Sequence, residues 1–339
     1  MKSFNHNIIY RFSLNLFFIL CISLFNFAYA QPPLEKQTPK STVLPEKTHL
    51  LENITYKTDS SGNSLQLDIY EPKISVSEKR PVVIYVHGGA WAKGDKSVRA
   101  DSYIERFILK LVEKNYTVIS IDYTLVSESV HFPQPVEDTK DVVKWVRKNA
   151  EKYNFDADNI GYFGASSGAH LSMLSAYTKD NEYVGSPELS AYSGKVNYVV
   201  SNFGPTDLNQ LLHTKMGKIP VAIVGWFIKP IVEIRAKLVH GISGYDINTD
   251  KRKVVDYFKT VSPINDAENG IPTFILHGDK DRVAPLKQSK RLVQKLKKYN
   301  IENSLVVVKD GTHGFGTTDK IYMDQLNDQM VNFIIAHTR

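Results

Sequence analysis

Leu65-Gln66-Leu67-Asp68-Ile69-Tyr70 alternates apolar and polar residues, the pattern of a strand with one face on a core and the other less deeply covered. The next apolar stretch, Pro81-Val82-Val83-Ile84-Tyr85-Val86, has no polar break. Such runs suit strands of a parallel sheet that are buried on both faces. Further strands are predicted at residues 117–121, 159–163, 196–203, 273–276 and 304–308. Between these runs the apolar spacing changes to that of a helix. Helices are predicted over 101–114, over 136–153 with Val142, Val143 and Val146 on one stripe, from just after Ser166, over 286–299 and over 320–336. Strands alternating with helices predict an α/β chain with a mostly parallel central sheet flanked by helices. In such sheets the chemistry gathers at the C-terminal ends of the strands. The loops after Val86, Phe163, Leu276 and Val308 are therefore the ones to search.

One connection is too long for this scheme. From 203 to 273 there is no strand pattern, which predicts a helical cap inserted at about 207–260. Its middle is apolar, with Val221, Ile223, Val224, Trp226, Phe227, Ile228, Ile231 and Val232. Pro220 and Pro230 interrupt it, so the run is too short to span a bilayer. An apolar cap over a substrate pocket and a set of helices buried in the core both fit this pattern.

The N-terminus carries a different signal. Lys2 and Arg11 precede an apolar stretch from 12 to 27, and Ala28-Tyr29-Ala30 offers small residues at the positions a signal peptidase needs. Residues 1–30 are predicted to be a signal peptide, which implies a secreted or periplasmic protein with no stable membrane span after cleavage. An uncleaved anchor fits less well, because the stretch is shorter than the roughly 20 residues of a spanning helix. A lipid anchor on Cys21 also fits less well, because Phe18-Ile19-Leu20 lacks small residues. Residues 31–48, rich in Pro, Lys and Thr, are predicted to be a flexible linker, and 49–339 the folded domain. Cys21 is the only cysteine among 339 residues. The mature chain would have no disulfide, no cysteine nucleophile and no thiolate metal site. The net charge of +6 comes from 42 basic and 36 acidic residues spread along the chain, not from the concentrated patch of a nucleic-acid binder. No H-E-x-x-H, P-loop or Cys/His cluster is present, so neither metal nor cofactor is predicted.

Four short segments carry the candidate chemistry. Gly164-Ala165-Ser166-Ser167-Gly168 fits G-x-S-x-G and falls between a predicted strand and a predicted helix, the context of a nucleophile elbow. Only Ser166 has glycines at both −2 and +2, so it is the candidate nucleophile. Ser167 would then lend its backbone N–H to an oxyanion hole. His87-Gly88-Gly89-Ala90-Trp91 follows a buried strand, where small residues let backbone N–H groups face a site unobstructed. The Gly89 and Ala90 N–H groups are assigned to the hole, and His87 to bracing the loop. His277-Gly278-Asp279-Lys280-Asp281 follows another strand. Asp279 could simply close the turn, so Asp281 is the candidate acid. Of ten histidines, His313 in Gly311-Thr312-His313-Gly314-Phe315-Gly316 lies in a Gly-rich loop after the last strand and is the candidate base. His277 is its competitor, while His170 on the helix after Ser166 is expected to be packed or exposed.

With these motifs the chain resembles the α/β-hydrolase superfamily, specifically carboxylesterases related to hormone-sensitive lipase, feruloyl-type esterases and kynurenine formamidase. Phe132-Pro133-Gln134-Pro135-Val136-Glu137-Asp138, Gly204-Pro205-Thr206-Asp207 and Ser262-Pro263-Ile264 share the likeness, which runs from about residue 50 to the end. The order Ser166, Asp281, His313 is that of this fold. Ala90 stands where hormone-sensitive-lipase relatives usually have a third glycine, which leans toward the H-G-G-x-W branch. Ala165 and Ser167 replace the commoner Asp and Ala. The resemblance implies a serine carboxylesterase acting on a small-molecule ester. An amide hydrolase (an aryl formamidase or a small peptidase) and a non-catalytic binding protein on the same scaffold are the competing readings.

Overall fold

The computed structural model describes residues 39–59, 62–74, 78–217, 229–316 and 318–339. The predicted signal peptide, Cys21 and the first part of the predicted linker lie outside the described residues. So do Pro220 and the apolar positions from Val221 to Ile228.

The chain enters through a short helix, α1 (Val43–Lys47), and an edge strand, β1 (His49–Thr58). Leu44 is fully buried, and backbone hydrogen bonds tie residues 39 and 41 to residues 100 and 98. The second half of the stretch expected to serve as linker is thus structured against the domain. β1 pairs antiparallel with β2 (Ser64–Glu71), and β2 antiparallel with β4 (Thr117–Ile121). From there the sheet is parallel: β3 (Arg80–Val86), β5 (Phe155–Ala165), β6 (Val199–Asn202), β7 (Thr273–Gly278) and β8 (Asn303–Val308). The order is β1-β2-β4-β3-β5-β6-β7-β8. This is the predicted α/β architecture.

β3 shows why its apolar run has no polar break. Successive side chains of a strand point to opposite faces. Val82, Ile84 and Val86 enter one hydrophobic cluster, and Val83 and Tyr85 the other. On the first face lie α3 (Gln134–Lys148), α5 (Ser167–Tyr177) and α9 (Lys287–Lys298), through residues such as Val142, Leu171 and Leu292. On the second lie α2 (Tyr103–Glu113) and α10 (Lys320–Ala336), through Phe107, Leu111, Leu326 and Met330. The helix expected over 136–153 breaks at Asn149, and a separate short turn, α4 (Ala150–Tyr153), follows.

Between β6 and β7 the described insert is helical: α6 (Leu208–Leu211), α7 (Lys229–Ser243) and α8 (Lys251–Thr260). Val239, Ile242, Val254 and Phe258 are fully buried and join the cluster that holds α3 and α5. These helices are therefore packed into the body of the domain. Among the described residues no helix is long and apolar enough to cross a membrane.

Candidate active site

Four strand ends build the site. β5 finishes at Ala165, and α5 starts at Ser167, leaving one residue for the reversal. That residue, Ser166, has φ 54° and ψ −121°, a conformation an L-residue adopts only under constraint. The constraint is close packing. A Cβ on Gly168 would lie 2.0 Å from the Val86 carbonyl oxygen, and one on Gly164 would lie 2.5 Å from the Gly168 oxygen. Both flanking glycines of G-x-S-x-G are thus required by contact with backbone. The Ser166 N–H donates to the Asn202 carbonyl at the end of β6 (2.9 Å), which fixes the turn from below.

His313 follows β8 in a single turn of tight helix, with Gly314 at φ 80°. Its Nε2 lies 2.9 Å from Ser166 Oγ, and its Nδ1 lies 2.8 Å from Asp281 Oδ2. The three candidates, drawn from the ends of β5, β7 and β8, form one hydrogen-bonded line. Phe203, at the end of β6, sets its ring edge-to-face against the imidazole at 4.7 Å and against Phe315 at 4.9 Å. This holds the His313 ring upright. Sequence reasoning missed Phe203 and Asn202; their signal was only that they end a buried strand.

Asp281 is buried and well satisfied. Its Oδ1 accepts the backbone N–H groups of Val283 and Ala284, both at 2.9 Å. Its Oδ2 accepts from His313 and lies 3.3 Å from His277 Nε2. Burial alone would raise this carboxyl. Hydrogen bonds and charge from His277 and His313 outweigh it and hold the group at about 2. Asp281 is therefore an anion at neutral pH. The competing Asp279 is exposed, and its N–H donates to the Val308 carbonyl, extending the β7–β8 pairing. The competing base His277 is fully buried behind the acid. Its Nδ1 accepts from Ser289 Oγ at 2.7 Å, and its Nε2 donates to the Ala284 carbonyl at 2.7 Å.

The loop after β3 comes close to Ser166 because Gly88 has no side chain: a Cβ there would sit 3.2 Å from Ser166 Cβ. Gly89 is at φ 126°, and its carbonyl accepts from Ala92 and Lys93, closing a turn. Ala90 and Trp91 follow at φ 52° and 62°. The N–H groups of Gly89, Ala90 and Ser167 donate to no partner among the described residues. All three candidate donors thus remain free for a ligand oxygen. The N-terminus of α5 adds its positive dipole end beneath Ser166. His87 stacks on Tyr123 at 4.3 Å, and its Nδ1 bonds to the Gly88 carbonyl, contacts that brace the loop. Among the described residues, no group of three or more His, Cys, Asp or Glu is placed to hold a metal ion.

The chain is similar to known proteins in sequence and in fold. The chain is 28% identical over 257 residues to the esterase LipC of Mycobacterium tuberculosis, an alignment covering 75% of this chain and 57% of LipC. It is 29% identical over 231 residues to the esterase LipQ of the same organism, covering 68% and 49%. The chain thus spans about half the length of these curated relatives. Among solved structures, a truncated carbohydrate esterase from gut microbiota matches with a TM-score of 0.64 and 27% identity, over 88% of this chain and 98% of that one. A thermophilic esterase of Thermogutta terrifontis, solved with propionate, matches with a TM-score of 0.61 at 20% identity, a likeness of fold. The BD-FAE family model matches residues 67–296, a span that takes in the glycine loop after β3, the elbow at Ser166 and the acid loop at Asp281. With more than half its length matched in this way, the chain belongs to the BD-FAE family.

Proposed function

We propose that this chain is a serine carboxylesterase that hydrolyses small to medium esters through an acyl-enzyme on Ser166. The observation that carries the reading is the Ser166–His313–Asp281 line, with 2.9 Å and 2.8 Å contacts.

The chemistry follows from that line. His313 Nε2 takes the Ser166 proton as Oγ attacks the ester carbonyl carbon. The oxygen that gains charge is received by the N–H groups of Gly89, Ala90 and Ser167. The carboxylate of Asp281 keeps Nδ1 protonated, so Nε2 is free to act as the base, and it stabilises the imidazolium. The imidazolium returns its proton to the departing alkoxide, leaving an ester on Ser166. Water, deprotonated by the same Nε2, then releases the acid and regenerates the hydroxyl.

Ester rather than amide cleavage is favoured by the likeness to proteins named esterases, including a carbohydrate esterase. The N-terminal charge, apolar stretch and Ala28-Tyr29-Ala30 support cleavage after residue 30 and a secreted or periplasmic location. A nitrophenyl-ester chain-length series, run beside N-formylkynurenine and a dipeptide amide, tests the reaction. Ester turnover that vanishes in Ser166→Ala is expected, together with fluorophosphonate labelling of Ser166. Turnover by Ser166→Ala at the parent's rate overturns the assignment.

A further inference from the structure

Trp91 and His170 stand next to the reacting groups, yet the reaction just described uses neither. Trp91 ends the H-G-G-A-W loop, and His170 lies one turn into α5 beyond Ser166. Both are buried, at 2% and 0% exposure. Trp91 Nε1–H donates to His170 Nδ1 at 3.2 Å, and His170 Nε2–H donates to the Val261 carbonyl at 2.8 Å, just past the end of α8. The two rings meet edge-to-face at 5.1 Å. A solvent-free imidazole with one nitrogen accepting and the other donating is held in a single tautomer. Burial also pulls His170 down to about 4, so it stays neutral where an esterase works.

The loop needs such a hold. Ala90 and Trp91 are successive non-glycine residues in the left-handed region, and such a backbone persists only where its surroundings fix it. Trp91 is fixed twice, by its indole N–H and by its carbonyl, which accepts the Val126 N–H at 2.9 Å. Phe132 packs edge-on against both rings, and its own N–H is bound by the Ile242 carbonyl of α7.

We propose that Trp91, His170 and the Val261 carbonyl form a positioning chain for the oxyanion hole. His170 holds Trp91, and Trp91 sets the Gly89 and Ala90 N–H groups at the height of the Ser166 oxygen. Trp91 and His170 are positioning residues that act through those donors without touching substrate. The inference rests on the esterase reading and deepens it.

The test compares the full-length parent with Trp91→Phe, His170→Leu and His170→Gln. Each is assayed for kcat and KM on nitrophenyl acetate, for affinity toward a trifluoromethyl ketone that mimics the tetrahedral oxyanion, and for melting temperature. Trp91→Phe keeps an aromatic ring and removes the N–H. It is expected to lower kcat roughly ten- to hundredfold, less than outright loss of a hole donor. KM is expected to stay within about twofold, because the interaction is made in the transition state. Affinity for the ketone falls in parallel with kcat. His170→Leu behaves alike, and His170→Gln, whose amide can both accept and donate, recovers a large part of the rate. Unchanged kcat and ketone affinity, with only the melting temperature lowered, overturns the inference and leaves a packing role. Should His170→Leu not fold, Trp91→Phe decides alone. A parent that turns over no ester overturns the esterase reading and this inference together, whereas an active parent with unaltered variants overturns this inference only.

Discussion

At Ser166 the φ of 54° carries a cost of order 1–3 kcal/mol that the surrounding contacts must offset. Glycine accepts that conformation without the Cβ conflict. Ser166→Gly is therefore expected to be inactive and to melt above Ser166→Ala, with a stability difference of about 1 kcal/mol by thermal unfolding. Equal melting temperatures count against strain at the elbow. Asp281 offers a second measurement. Asp281→Asn leaves the fold in place but removes the carboxylate that selects the His313 tautomer, so kcat should fall about ten-thousandfold. The same group is linked to acid stability. Its folded-state carboxyl, at about 2, titrates below its unfolded value, so its stabilisation is present above about pH 4 and is lost as pH falls toward 2. The stability gap between the parent and Asp281→Asn should narrow over that window in urea titrations at stepped pH. A gap independent of pH would contradict the link. These residues were legible in the sequence because glycine names the tight turns. The Trp91–His170 contact was not, since nothing local marks two residues 79 positions apart as neighbours.

Among the elements, β1 escaped the hydrophobic pattern for a physical reason. Its alternation is broken by register shifts between Leu51 and Ile54 and between Thr55 and Lys57, and Asn53 sits at φ 59°. A bulge changes which face each side chain meets, so no period of two survives. β5 was read short because Asp156 and Asp158 interrupt its entry. By contrast, β4 and α10 have the limits their patterns predict, β4 as a short, mostly apolar run and α10 as a regularly striped helix. β1 is fastened to α3 by Lys57, whose Nζ contacts Asp138 at 2.7 Å and Asp141 at 2.8 Å, both carboxylates being fully buried. Removing one partner of such a cluster strands charge in the interior. Lys57→Met should lower stability by about 3 kcal/mol in urea unfolding, and adding Asp138→Asn should recover part of it. A change within about 0.5 kcal/mol, the usual size for a surface substitution, would rule the cluster out as a fastening.

Across the whole molecule, the sheet has a core on each face, and the N-terminal end of the domain closes over one of them. Leu44 enters the cluster of α2 and α10, and the 39–41 segment pairs with 98–100. A chain beginning at residue 49 should be about 3 kcal/mol less stable than one beginning at 31, from one buried leucine and a few backbone bonds. Identical urea midpoints for the two would show the segment to be dispensable. The central parallel sheet was legible because its strands are short, mostly apolar runs separated by helical patterns. The way the insert packs was not, because an apolar helix pattern serves a lid and a core equally well.

The strand order has one more consequence. The reacting line draws its three members from separate strand ends, and the last, His313, follows the outermost strand, β8. Every one of these pairings joins residues far apart along the chain, the slowest kind of contact to establish. Catalysis is thus an all-or-nothing witness to completed assembly. After dilution from denaturant, a signal from helix content can rise while β8 is still undocked, but ester turnover cannot return until the final edge of the sheet has closed.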